Sequence, residues 1–284
     1  MTATNPIARY YDRNTGRFLW VGGSGGAYAI HRALWGPGVT TSEEASNYIN
    51  VLIAECIEEV AAPIGSIEIL DLGCGVGGTL FQLCARFPES RGLGVTISRK
   101  QLEIARRLSG RRGLSDRCRF IQGDFQRMDL DIRADVGVAV ESFVHSLSPS
   151  VFLDSAARHV QSGGIMIVVD DFLAVAAQEL PEIDRRHVRT FQEGWRLPGL
   201  CTVEELEEES ERAGFEVVEI RDLSSLVRLG RPRDMLIAWT APLFRRLGLD
   251  GIPFFGNMIG GNALQVGLRK GFIRYRAVVL RRRG

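Results

Sequence analysis

Residues Ile67-Glu68-Ile69-Leu70-Asp71-Leu72-Gly73-Cys74-Gly75-Val76-Gly77-Gly78 decide how this chain folds. Ile67, Ile69, Leu70 and Leu72 make a short, strand-like apolar run that stops abruptly at glycines. A helical pattern follows from Thr79 to Phe87. Strand, glycine turn and helix form the opening of a nucleotide-binding βαβ unit. The glycines let the backbone turn sharply and approach a ligand, and the helix N-terminus offers unpaired N–H groups. The spacing Asp71-x-Gly73-x-Gly75-x-Gly77 differs from the dinucleotide fingerprint G-x-G-x-x-G.

Working outward, further alternating units are expected. Thr41-Ser42-Glu43-Glu44 opens a helix to Val60, with Ile49, Leu52, Ile53, Cys56, Ile57 and Val60 as its apolar stripe. Strands are expected at Gly92–Ile97, Cys118–Ile121, Ala134–Val140, Ile165–Asp170, Phe215–Ile220 and Gly271–Leu280. Helices are expected at Lys100–Arg112 and Val151–Val160, and from Thr202 to about Ala213. The regular alternation breaks at about 172–200 and 223–270, which read as insertions over a pocket.

The acidic residue closing the first strand, with its glycine spacing, resembles motif I of class I S-adenosylmethionine (SAM) dependent methyltransferases. The resemblance covers residues 45 to 171 well, and 202 to 222 and 271 to 281 loosely. It implies an α/β fold: a Rossmann-like seven-stranded sheet with an aromatic helical cap. Residues 1–45 would be an N-terminal arm or cap and 46–284 the methyltransferase domain. The resemblance also implies SAM as cofactor, S-adenosylhomocysteine as its product, and Asp71, Gly73, Cys74, Gly75 and Gly77 as its cradle.

Many Rossmann-type proteins end the second strand on an acidic residue that holds the ribose hydroxyls. Here Thr96-Ile97-Ser98 stands there instead, with Gln101 in the next helix. That variant resembles a subset including cyclopropane-fatty-acid synthases and the tocopherol, sterol and geranyl diphosphate C-methyltransferases. By that resemblance Thr96, Ile97 and Gln101 lie beside ribose and adenine; an ordinary strand end with a helix-start Ser98 is the alternative. Asp124, after the third strand, would accept the adenine amine while Phe125 packs on the ring; a structural turn is its alternative. Tyr11 in the arm is taken as a further cofactor contact.

The tip of the fourth strand faces the transferable methyl in this family. Glu141 and His145 there match the Glu-Ser/Ala-x-x-His pattern of the C-methyltransferase subset and are the catalytic candidates. A carboxylate ending an apolar strand is costly unless paired or placed in a polar pocket. Trp35, His187, Phe191, Trp195 and Phe254 are the candidate acceptor contacts, since aromatic faces suit an alkene carbon that becomes cationic on methylation. An aromatic arm that packs on the domain or on a neighbouring subunit is the plainer reading of residues 1–45. Gly22 to Gly26 lacks both a preceding strand and a following Lys-Ser/Thr, so it reads as a connection rather than a phosphate loop.

At 284 residues, 45% hydrophobic and 24% charged, the chain can bury a full core. A net charge of +1 gives no reason to expect nucleic acid or an anionic membrane as the main partner. No run approaches the roughly 20 apolar residues of a membrane span. The N-terminus lacks a signal-peptide pattern, so a cytoplasmic location is expected. Five dispersed cysteines favour reduced thiols over disulfides or zinc, and no metal is expected. The expected function is methyl transfer to a hydrophobic small molecule of specialised metabolism. Prenylated and terpenoid acceptors lead, carbon is slightly favoured, and O- or N-methylation of a small aromatic compound is the alternative. A SAM-binding sensor or assembly subunit is the non-catalytic alternative, and a homo-oligomer formed through the arm stays open.

Overall fold

The computed structural model describes residues 31–61, 65–246, 248 and 252–284, together with Asp12 and Thr15. Tyr11, the glycine run 22–26 and most of the expected N-terminal arm lie outside the described residues. Seven strands form one sheet in the order β3-β2-β1-β4-β5-β7-β6. They are β1 (Glu68–Leu72), β2 (Arg91–Thr96), β3 (Cys118–Gln122), β4 (Ala134–Val140), β5 (Val160–Leu173), β6 (Phe215–Asp222) and β7 (Ile273–Arg282). The first five pair in parallel, and β7 runs antiparallel between β5 and β6. Sheet order reverses between β1 and β4, which opens the crevice where such sheets bind ligands.

The period-two geometry of a strand sends successive side chains to opposite faces, and the core shows it. Ile69, Val136, Ile165, Ile167 and Tyr275 join one buried cluster. Their neighbours Leu70, Met166, Val168 and Val278 join the other. Both faces are therefore covered by helices, which is why the central strands β4 and β5 carry near-continuous apolar runs rather than alternating ones. The first face carries α1 (Ser42–Cys56), α2 (Gly78–Arg86) and α3 (Arg99–Arg111); the second carries α4 (Pro149–His159) and α6 (Val203–Arg212). The capping box expected at Thr41 and Glu44 closes the start of α1, and Thr202 with Glu205 does the same for α6.

Two expectations change in extent. The helix read to Val60 finishes as a π-helical turn, Ile57–Ala61. Strand β5 is longer than the apolar run that announces it, because β7 pairs with it from Ile165↔Arg281 to Leu173↔Ile273. Its last residue also bridges Thr202. Beyond β5 lies α5 (Glu182–Trp195), and between β6 and β7 lie α7 (Pro232–Arg246) and α8 (Pro253–Lys270). Helix α5 crosses α8 backbone to backbone. A Cβ on Gly194 would sit 2.4 Å from the Gly256 carbonyl oxygen, so that crossing requires glycine.

Candidate active site

The turn after β1 is held by the neighbouring strand. The amides of Gly73 and Cys74 both donate to the Val95 carbonyl at 2.9 Å, and Gly77 N donates to Cys74 O at 2.8 Å. Gly73, Gly75 and Gly77 have φ of 89°, 55° and 88°, the left-handed region that other residues rarely adopt. Space demands glycine as well. A Cβ on Gly73 would lie 2.4 Å from the Ser142 Cβ, and one on Gly77 would lie 2.6 Å from the Phe120 ring. The Ser142 hydroxyl donates to the Leu72 carbonyl, locking the β4 tip onto this turn. Cys74 offers its main chain here, since its buried thiol is pushed well up by burial.

Asp71 is buried, and its Oδ2 has no hydrogen-bond partner. Burial pushes this carboxyl up to about 7. A buried acceptor without a donor is uncommon and marks a place for a ligand donor. An orphaned carboxylate beside a glycine cradle at a helix start fits a cofactor that carries an ammonium group.

At the end of β2, Thr96 Oγ1 donates to Gln101 Oε1 at 2.7 Å, and both residues are buried. Ser98 caps α3 by accepting from Gln101 N at 3.2 Å, so the helix-start role and the Thr96–Gln101 pair coexist. Ile97 is half-buried beside them, its carbonyl accepting from Gln122 Nε2 at 3.3 Å. Asp12 reaches this corner: it accepts from Ser98 Oγ and from Lys100 N, the latter at 3.2 Å. Asp124 closes a turn, its Oδ1 accepting from Gln126 N at 3.1 Å. Gln126 Oε1 in turn accepts from Leu147 N at 2.8 Å, tying the β3 and β4 loops together. The Phe125 ring packs edge-on against Phe152 at 5.8 Å, partly within the second core cluster.

The other half of the site is a charged cluster drawn from four segments. Glu141 leaves β4 with φ of 51°, a left-handed conformation in a residue that is not glycine. Its amide donates to Val169 O, and its Oε1 accepts from Arg32 N and from the Tyr275 hydroxyl, all at 2.9 Å. Arg32 Nε lies 3.6 Å from the same oxygen. The guanidinium grips Asp171 with two bonds, one of them Nη1 to Oδ1 at 2.7 Å, and lies 4.5 Å over the Tyr275 ring. Two carboxylates thus share one guanidinium, leaving an excess of negative charge. Asp170 is turned inward to accept from Val144 N and Asp171 N, and burial pushes its carboxyl well up.

His145 ends the 3₁₀ turn Phe143–His145. Burial pushes its imidazole down to about 4 against the pull of Glu141, so it is neutral at neutral pH. His31 is a second imidazole in this neighbourhood. Its Nδ1 lies 3.1 Å from Arg32 O, a carbonyl that can only accept, so Nδ1 carries the proton. Its buried Nε2 has no hydrogen-bond partner, and burial lowers its basicity although Glu141 raises it. Sequence reading missed His31, Arg32 and Tyr275 as partners of Glu141. Their separations of more than 100 residues leave no local signal.

The five candidate acceptor contacts divide. Phe191 and Trp195 meet edge to face at 5.5 Å, Phe191 in the core and Trp195 donating from Nε1 to Asn257 O at 3.3 Å. His187, on the same helix, lies 6.4 Å from the Phe272 ring. Trp35 is covered by Arg228, whose Cζ is 3.2 Å from the ring centroid. Phe254 is about half exposed and packs on Phe255. Among the described residues, no group of three His, Cys, Asp or Glu side chains is arranged to hold a metal ion.

Comparison with known proteins bears on this geometry. The methyltransferase domain profile matches residues 69–164, from β1 into β5. The O-methyltransferase cnsE of Penicillium expansum is 27% identical over 70% of this chain and 69% of its own length. The 24-methylenesterol C-methyltransferase 2 of Arabidopsis thaliana is 28% identical over 59% of this chain. The chain spans about half the length of that protein and of the sterol 24-C-methyltransferase erg6 of Aspergillus fumigatus. For the fold alone, the geranyl diphosphate C-methyltransferase of Streptomyces coelicolor superposes with a TM-score of 0.68 at 15% identity, covering 99% of this chain and 98% of that one. The [4+2]-cyclase SpnF gives 0.72 at 22%, covering 99% and 96%. Residues 69–164 thus match a methyltransferase domain, and the sheet order and glycine turn give the chain the fold of the class I SAM-dependent methyltransferases that it resembles.

Proposed function

We propose that this enzyme methylates a lipophilic small molecule of specialised metabolism, with an alkene carbon of a prenyl or terpenoid group as the favoured acceptor. The supporting observation is Glu141, an anion held at the tip of β4 by Arg32 N and the Tyr275 hydroxyl. Bound SAM supplies an electrophilic methyl group; the chain's own residues supply the rest. Asp71, Gly73, Cys74, Gly75, Gly77, Thr96, Ile97, Gln101 and Asp124 are the proposed cofactor contacts. An alkene carbon that gains a methyl becomes cationic, and fixed negative charge nearby stabilises it without reorganisation. Glu141 Oε1 is already engaged by two donors, which favours an electrostatic role over proton transfer. Neutral His145 is the proposed acceptor for the departing proton. A cavity of about 380 Å³ beside the loop that follows Glu141 is lined by Phe143, Val144, Leu200 and Cys201 on one side and by Glu205, Glu208 and Glu209 on the other.

A second reading has its own support. A neutral imidazole equally suits a hydroxyl or amine that loses a proton on methylation, and one relative is named an O-methyltransferase. The discriminating experiment gives the Glu141→Gln enzyme and the parent geranyl diphosphate, prenylated indoles and phenols with isotope-labelled SAM. A carbon acceptor should lose about 10²–10³ in turnover in the variant, with S-adenosylhomocysteine binding retained. Label on oxygen or nitrogen at an unchanged rate would establish the second reading and remove Glu141 from the chemistry.

A further inference from the structure

Helix α7 presents Met235, Leu236 and Trp239 to solvent at 59%, 60% and 83% exposure. At spacings of one, three and four residues they share one face. The helix is nonetheless anchored. Asp234 and Ala241 are buried, and Asp234 Oδ2 accepts from Arg231 N and Nε at 3.1 Å. Ile252 and Phe254, at the start of the adjoining α8, are about half exposed. Large apolar side chains grouped in this way mark a contact surface.

Charge indicates what the contact is. Positions 228 to 246 carry five arginines (Arg228, Arg231, Arg233, Arg245, Arg246) and one carboxylate, Asp234, a formal +4. The whole chain is +1, so the remainder is −3 and the positive charge is concentrated here. Arg228, Arg231 and Arg246 are exposed. An apolar, tryptophan-bearing helix face flanked by arginines has the composition of a helix lying in a bilayer interface, with rings at headgroup depth and guanidinium groups on phosphates. A second copy suits the face poorly, because pairing two such surfaces sets a +4 stretch against another. No helix among the described residues is long and apolar enough to cross a membrane, so the contact is with the surface.

We propose that the exposed face of α7 docks on an anionic lipid bilayer. The net charge of the whole chain conceals this, because the basic residues are clustered rather than dispersed. The inference is independent of the acceptor.

The test is co-sedimentation of the full chain with vesicles of phosphatidylcholine alone and of phosphatidylcholine containing a minority of phosphatidylserine. Partitioning onto the serine-containing vesicles should exceed that onto plain ones and fall with added salt. A Met235→Ser/Leu236→Ser/Trp239→Ser variant alters only exposed side chains, and retained S-adenosylhomocysteine binding would show that it folds. Its partitioning should drop about tenfold or more. Equal partitioning of parent and variant, or none by the parent, would overturn the proposal. So would a concentration-dependent dimer in sedimentation equilibrium that the variant abolishes while vesicle binding stays absent.

Discussion

The ends of β1 and β2 and the ends of β4, β5 and β7 both hold charge out of water, and they do so in opposite ways. The first half is local. Gly73 to Gly77 turn within five residues, Thr96 bonds Gln101 five residues on, and Asp71 is left with an unsatisfied oxygen. The second half is closed on itself and non-local. Arg32 binds Asp171 from 139 positions away, and Tyr275 binds Glu141 from 134. One half keeps a buried carboxylate oxygen without a partner; the other satisfies its own charges and leaves a surplus of negative field. This contrast suggests where substitution should hurt folding and where it should hurt binding.

The sharpest way to break the contrast is Arg32→Ala. It strands Asp171, 1% exposed, without its cation, and loss of one partner from a buried pair costs about 3–5 kcal/mol. Urea denaturation should show that loss, and Arg32→Ala/Asp171→Ala should recover much of it. A cost under about 1 kcal/mol would mean that the cluster is not a closed network. Next in size, Gly73→Ala must fit a Cβ against Ser142 in a left-handed backbone, at about 2 kcal/mol or more. Calorimetry should show cofactor affinity falling further than stability does; equal losses would show that the turn is only structural.

The smallest effect concerns pH. With its folded value raised to about 7, the Asp71 carboxyl is partly protonated in the free protein at neutrality. A bound ammonium favours the ionised form, so binding releases a proton. S-adenosylhomocysteine affinity should therefore fall below pH 7, by up to about tenfold per unit, and Asp71→Asn should abolish that dependence. The same shift has the opposite sign for the free fold. The Asp71 contribution to stability is complete below the unfolded carboxyl's ordinary value and is lost as the pH rises through 7. A flat affinity profile would place Asp71 outside the cofactor contact.

Parts of the molecule were legible in the sequence because their signals are local. The Thr41–Glu44 box, the β4 limits Ala134–Val140 and the glycine turn each depend on residues a few positions apart. Trp35 and Phe254 show the limit of composition as a guide. Aromatics read as one cap separate into a ring covered by Arg228 and one half exposed on α8. The clustered charge of α7 was equally hidden in a balanced total.

By itself the sequence determined the alternation of strand and helix, the glycine turn from Gly73 to Gly77 and the placing of Glu141 at a strand end, since periodicity and backbone preference act over short spans. Only the tertiary structure decided what Glu141 faces. The antiparallel return of β7 sets Tyr275 opposite Asp171, and the segment before α1 brings Arg32 between them. Such contacts arise when packing closes loops of more than 100 residues, and no local pattern in the chain records them.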